Sequence, residues 1–251
     1  MSAEDEPLDF SELPDVRDLH PELGDEERAF AAHMKARENA YASVFGESDP
    51  PRQILSPGDA QLMLNWPGGG IYVFPPRGDR RGWHYVTHGL SQPLDFDGEP
   101  GEVSGLGCEL VISTPARCEW PSMLLLELVK YLLFDDEAVI ILPGDRMPTG
   151  AFAKVAPGTE LTHMFATTST EYPSVLRLPG GRCTLVHLVG ATATEIERAK
   201  KEGGAFGTKV LGETLRRVGV GFVTDTARRS ATEDATFDAT WRDVAAAVEP
   251  S

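Results

Sequence analysis

Between residues 25 and 46 the apolar positions recur at helical spacing. Phe30, Met34, Arg37, Tyr41, Val44 and Phe45 fall near one stripe, Asp25 stands where an N-cap is needed, Glu26 and Glu27 occupy the first turn, and Gly46 follows the last apolar residue. The pattern predicts an amphipathic first helix. The run 121–134 is different in kind: Met123, Leu124, Leu125, Leu126, Leu128, Val129, Leu132, Leu133 and Phe134 leave almost no polar face, and Pro121 suits a first turn. A central, buried helix is expected there, and a charge at Leu128 is expected to unfold the protein. Farther on, Thr192 and Glu195 match a capping box that opens a helix with Lys200 and Lys201 in its last turn, ending at Gly203 and Gly204. A helix over 209–218 follows, with Val210, Leu211, Leu215 and Val218 on one side.

Short apolar, partly β-branched runs bounded by Gly and Pro predict strands at 71–74, 83–90, 108–113, 139–142, 161–168, 183–189 and 220–224. Pro75 and Pro76 place the first of these at a sheet edge. Residues 48–57 form a Pro-rich connector, and no internal repeat is visible. Strands and helices do not alternate regularly, and no glycine-rich phosphate loop follows a strand. The expected fold is α+β, a mixed, mainly antiparallel sheet flanked by helices.

Charge divides the chain into three. Of the net −16, residues 1–27 carry −10, with eleven acids against Arg17, and residues 231–251 carry −4, which leaves −2 for the middle. Residues 1–27 read as an acidic flexible segment and 231–251 as an acidic tail with a short helix, because Phe237, Trp241, Val244, Ala245 and Val248 match one helical face. A neutral body with acidic ends is not built to attract phosphate, so nucleic acid is not an expected partner. The first ten residues lack the features of a signal peptide and no run is long enough to span a membrane, so a cytoplasmic protein is expected. Cys108, Cys118 and Cys183 form no C-x-x-C pair and read as reduced thiols.

Tests for chemistry return little. His84 and His88 on a strand would share a face but lie roughly 13 Å apart, too far for one ion. The pairs Asp95/Asp97 and Asp135/Asp136 read as solvated acids, and no nucleophile elbow or cysteine-protease signature is present. No catalytic, metal or cofactor-binding residue is assigned. A hydrolase with an unseen triad, or a metal site near His84, His88 and His163, remains the rival reading.

Three segments carry a resemblance: Gly82-Trp-His-Tyr-Val-Thr-His-Gly-Leu-Ser91, then Ser104-Gly-Leu-Gly-Cys-Glu-Leu110, then the helical run from Trp120 to Tyr131. In order and spacing they resemble the suppressor-of-fused domain, with weaker matches that extend the likeness over residues 28–230. The resemblance implies a domain that binds proteins and does no known chemistry. Single-domain bacterial members of the family are associated with toxin systems, which implies an immunity protein that sequesters a partner, such as a basic toxin. A peptide-binding regulatory scaffold, accepting a strand at 71–74, is the alternative. In the animal members an acidic and aromatic loop contributes to peptide binding. Its counterpart here is 92–103, which makes Leu94, Asp95, Phe96, Asp97, Glu99 and Glu102 the expected partner-binding residues; the loop lacks the family's tyrosine and runs longer.

Overall fold

A computed structural model describes residues 8–12, 22, 24–48, 66, 68–78, 80–93 and 100–248. In chain order the elements are β1 (Leu8–Asp9), α1 (Asp25–Phe45), β2 (Gly70–Phe74), β3 (Trp83–His88), β4 (Val103–Thr114), α2 (Trp120–Phe134), β5 (Arg146–Pro148) and α3 (Ala151–Val155). They continue with β6 (Leu161–Thr167), β7 (Val175–Leu178), β8 (Gly181–Thr192), α4 (Ala193–Glu202), α5 (Gly204–Arg217), a 3₁₀ turn at Ala231–Glu233 and α6 (Phe237–Ala247).

The two long strands, β4 and β8, lie parallel at the centre of one mixed sheet. Outward from β4 come β3 and then β2, both antiparallel. The other edge of β8 is shared: β7 pairs with its first residues and β6 with its last, both antiparallel. β1 joins β7 in parallel, and β5 joins β6. Among the described residues five antiparallel pairs outnumber two parallel ones, as the sequence pattern led one to expect.

Helices cover both faces, so the central strands must be apolar on both sides. On one face Ile71, Val73, Tyr85, Leu110, Ile112, Val186 and Leu188 pack with α2. On the other, Phe74, Val86, Val111, Leu176, Leu178 and Leu185 pack with Tyr41, Val44 and Phe45 of α1. The alternation is a direct reading of the period-2 pleat. A third cluster joins α4, α5 and α6 to Phe165, Val189 and Ala191, with Trp241 fully buried in it.

Several expectations change in three dimensions. Residues 139–142 form no strand: Ile141 is buried and Ile140 packs partly against the core, while the Val139 and Leu142 N–H groups donate to Tyr131 Oη and Asp145 Oδ2. The 220–224 run is likewise no strand but a turn whose Val220 and Gly221 N–H groups bond Leu215 O, meeting the sheet at an isolated bridge between Val223 and Ser113 and through Thr224 Oγ1, which accepts from Gly190 N–H. The cap of α1 is Gly24, whose N–H donates to Glu27 Oε2, one residue earlier than Asp25. Within 1–27, expected to be a flexible lead-in, Leu8–Asp9 is a strand, because Leu8 and Phe10 find apolar partners in the α1-side cluster. Most of 1–23, the connector 49–57 and residues 249–251 lie outside the described residues. At the other end, α6 packs Phe237, Trp241 and Val244 into the third cluster.

α2 is not enclosed on all sides. Leu125 and Val129 are fully buried, whereas Leu128 is only partly covered and Met123, Tyr131 and Phe134 face solvent. A helix lying on one face of a sheet has an outer side whatever its composition. A charge at Leu128 therefore does less than the sequence suggests. Leu128→Glu is expected to cost about 1 to 2 kcal/mol, a partial loss of one side chain's burial, while leaving a cooperative transition in urea.

Candidate protein-binding site

The first two sequence motifs fold into the root of the 92–103 loop. Glu109 sits on β4 between Cys108 and Leu110 and is completely buried. Its carboxylate gathers four donors: Thr87 Oγ1 at 2.6 Å, Gly89 N at 2.9 Å, Ser91 N at 2.9 Å and Ser91 Oγ at 2.6 Å. A buried carboxylate survives only when its lone pairs are met, and here they are met by the turn that leaves β3. The Ser104 hydroxyl donates to Ser91 O at 2.6 Å, and Leu106 N–H bonds Leu90 O at 2.8 Å, so the two ends of the loop are tied to each other. Gly105 makes this possible: at φ +57 its Cβ position lies 2.5 Å from Leu90 O, a space no side chain can enter.

α1 closes the root from above. Arg37, also completely buried, reaches Ser91 Oγ at 3.5 Å, Gln92 Oε1 at 3.3 Å and His88 Nδ1 at 3.3 Å. Ser91 thus relays between a buried guanidinium and a buried carboxylate. His88 Nδ1 also lies 3.2 Å from Gly68 O, a contact that needs the opposite tautomer from the one the Arg37 contact needs, so the ring nitrogen serves one of the two at a time. One turn earlier, His33 Nε2 accepts from Gly180 N–H at 3.1 Å, and the Gly101 N–H bonds Gly180 O. Burial and the Arg37 charge hold His33 down to about 4 and push His88 well below its ordinary value.

Of the residues expected to touch a partner, Leu94, Asp95, Phe96, Asp97 and Glu99 lie outside the described residues. Glu102 is exposed at the loop's return, where its carbonyl accepts from Arg182 N–H at 3.2 Å. Sequence reasoning put Arg37 on the apolar stripe of α1 but gave no role to Glu109, His33 or Ser91. The available signal was a lone carboxylate inside an apolar strand, a placement that demands partners.

β2 ends the sheet among the described residues, and a hollow lies beside each of its faces. One, of about 450 Å³, is bounded by Val73, Tyr85, Cys118 and Ser122. The other, of about 470 Å³, is bounded by Tyr72, Phe74, Glu38, Asn39 and Ser48.

A second polar cluster crosses the sheet on the α1 side. Ser113 Oγ lies 2.6 Å from His84 Nδ1 and 3.0 Å from His187 Nε2, and Tyr172 Oη lies 3.2 Å from His187 Nδ1. Neighbouring strands bring them together, for His84 is the register partner of Ser113. The serine and both histidines are buried; burial pushes His84 down to about 4 and His187 to about 3. A serine beside two imidazoles has the composition of a nucleophile and base, yet no substrate can reach it. His88 joins the other cluster, and His163 sits on β6 beside Thr162. Among the described residues no three His, Cys, Asp or Glu side chains converge to hold a metal ion, and no helix is long and apolar enough to cross a membrane.

A braced loop root beside a strand that ends the sheet among the described residues is an arrangement suited to a protein-interaction module. The chain belongs to the suppressor of fused family, whose model, "Suppressor of fused protein (SUFU)", matches residues 66–229. No curated protein matches the chain by sequence. Among solved structures it is similar to Drosophila Suppressor of Fused, with 20% identity and a TM-score of 0.53 over 70% of this chain; it spans only 45% of that protein. It is also similar to a chain of the Sufu-Fu complex, with 21% identity, a TM-score of 0.62 and coverage of 84% and 96% of the two chains. A suppressor of fused homologue from Neisseria gonorrhoeae gives 14% identity, a TM-score of 0.54 and coverage of 80% and 96%. At these identities the likeness establishes a shared fold.

Proposed function

We propose that the chain is a cytoplasmic, non-catalytic binding protein that sequesters or neutralises a partner protein, as an immunity protein does with a bacterial toxin. The observation that carries this reading is the built root of the 92–103 loop: buried Glu109 and Arg37 fix the positions from which the loop departs. Fixing a loop's departure points lowers the ordering cost of binding through it. Membership of the suppressor of fused family, and the Sufu-Fu complex among similar structures, support a protein as the ligand. Asp95, Asp97, Glu99 and Glu102, with the acidic ends, supply a negative field suited to a basic toxin. Neither cofactor, nucleic acid nor membrane enters the mechanism, which is steric occlusion assisted by charge.

Affinity capture from the native cytoplasm at low and high salt tests the reading. A single stoichiometric protein, weakened in high salt, is the expected result; a bound metal or small molecule with no protein partner overturns it. With the partner in hand, reversing Asp95, Asp97, Glu99 and Glu102 to Lys is expected to slow association by roughly tenfold or more while leaving stability unchanged, since rim charges act on encounter.

A second reading has its own support. An extended peptide added to β2 would place alternate side chains in the two hollows beside Val73 and Tyr72. Proline at an outward-pointing N–H of 71–74 should then abolish binding without unfolding the chain, as circular dichroism would show.

A further inference from the structure

The outer side of α2 is apolar where a surface helix is ordinarily polar. Met123 is 56% exposed, Phe134 42% and Tyr131 36%, and together with Glu127 they stand at helical spacings of four, four and three, one stripe along about three turns. The stripe continues past the helix at Val139, 70% exposed and held beside Tyr131 by its N–H bond to the phenol oxygen. Apolar groups arranged in this way on a surface mark an interaction site more often than chance. Around them acids predominate, although Arg117 lines the same hollow as Met123 and Lys130 pairs with Glu127. Residues 119–145 hold six carboxylates, Glu119, Glu127, Asp135, Asp136, Glu137 and Asp145, against the single Lys130, a net of −5.

We infer that the outer side of α2 docks a helix of a partner protein about three turns long, apolar along one stripe and flanked by Lys and Arg. The inference rests on the protein-binding reading above and adds a second contact surface to it. Apolar complementarity selects the length, because two helices packed ridge into groove share contacts every turn. Charge complementarity selects the flanks: an acidic or neutral amphipathic helix would bury the same area against a repelling or indifferent rim. A second copy of this chain is disfavoured for the same reason, since α2 against α2 would bring two rims of net −5 together.

The test uses the full chain and three labelled synthetic peptides read by fluorescence anisotropy at low and high salt. One has Leu at matching spacing with Lys on its flanks, one has Glu in place of Lys, and one is the first sequence shuffled. The Lys-flanked peptide is expected to bind at least about tenfold more tightly than either control. That advantage should shrink with salt, and Met123→Ser with Phe134→Ser should cost about tenfold. Both substitutions are at exposed positions, so an unchanged melting transition confirms that the variant folds. Equal binding of the shuffled peptide, or an unaffected double variant, overturns the inference. So does a dimer in sedimentation that the double variant abolishes, or adsorption to anionic vesicles in preference to the peptide. If a captured native partner binds the double variant as tightly as the wild type, the α2 surface fails while sequestration stands. Absence of any protein partner overturns the broader reading instead.

Discussion

Glu109→Ala is expected to unfold the protein or to remove most of its stability, at least about 4 kcal/mol. Truncation strands four donors that have no other acceptor at hand, the N–H groups of Gly89 and Ser91 and the hydroxyls of Thr87 and Ser91. Each buried donor left unmet costs about 1 to 3 kcal/mol. Arg37, linked to Glu109 through Ser91 Oγ, also loses the negative charge on the far side of that relay, and its own contacts are long, at 3.3 to 3.5 Å. Glu109→Gln should fall between the two. Its oxygen can still accept from Gly89 and Ser91, and its amide can donate to Thr87 Oγ1. The Thr87 hydroxyl then loses its acceptor and Arg37 its counter-charge, a loss of about 2 kcal/mol. Urea unfolding of the three proteins checks the order. Equal midpoints for Glu109→Ala and wild type would show that the loop root is not held as described, and would remove the support it gives to the proposed binding role.

Acid is expected to unfold the protein between about pH 6 and 4, with the loss of stability beginning above the pH at which most carboxylates titrate. Four imidazoles are buried and neutral. Burial is the first cause in each, aided by Arg37 at His33 and His88, by Arg80 at His84 and by His84 at His187. Their folded values fall to about 4 for His33 and His84, about 3 for His187 and well below normal for His88. In the unfolded chain each returns to about 6.5. The depressed values mean that the unfolded state binds more protons below about 6.5, so stability is complete above that pH and falls as pH drops toward about 4. Each histidine contributes a slope of up to about 1.4 kcal/mol per pH unit, hence about 5 kcal/mol per unit for four. Against a usual total of about 5 to 15 kcal/mol, unfolding should occur between about pH 4 and 6. The lowered carboxylates at Glu160, Glu197 and Asp234 are on the surface and act only below that window. Relief of the net −16 by protonation works in the opposite direction, but it too begins only as carboxylates titrate. Urea midpoints measured from pH 7 down to pH 5 decide the matter: a flat profile would mean that the histidines are hydrated rather than sealed.

Periodicity made the principal elements legible. The stripe of α1, the apolar run of α2, the capping box of α4 and the strands β2, β3, β6 and β8 follow from spacing, because side-chain direction is fixed by backbone geometry within a few residues. It misread 139–142 and 220–224, where an apolar run is short and its backbone partners are Tyr131, Asp145 and Leu215 rather than a strand. Local sequence does not say who supplies a hydrogen bond across the fold. For the same reason β7, four residues long, had no signal of its own; it exists because β8 offers an edge.

The candidate site shows the same division. Its motifs were readable as a family pattern, with Ser91 and Glu109 printed eighteen positions apart, but their roles were not. Only when β3, β4 and the buried side of α1 meet do Glu109, Ser91 and Arg37 become one relay, and only the registers of β3 and β8 on β4 set Ser113 between two histidines. By itself the sequence determined the α+β class, the elements with strong periodicity and the family. The tertiary structure decided which polar groups are sealed inside, and that α2, with almost no polar face, keeps one side in water. Burial is a property of what packs against a residue, and a chain read one position at a time does not contain it.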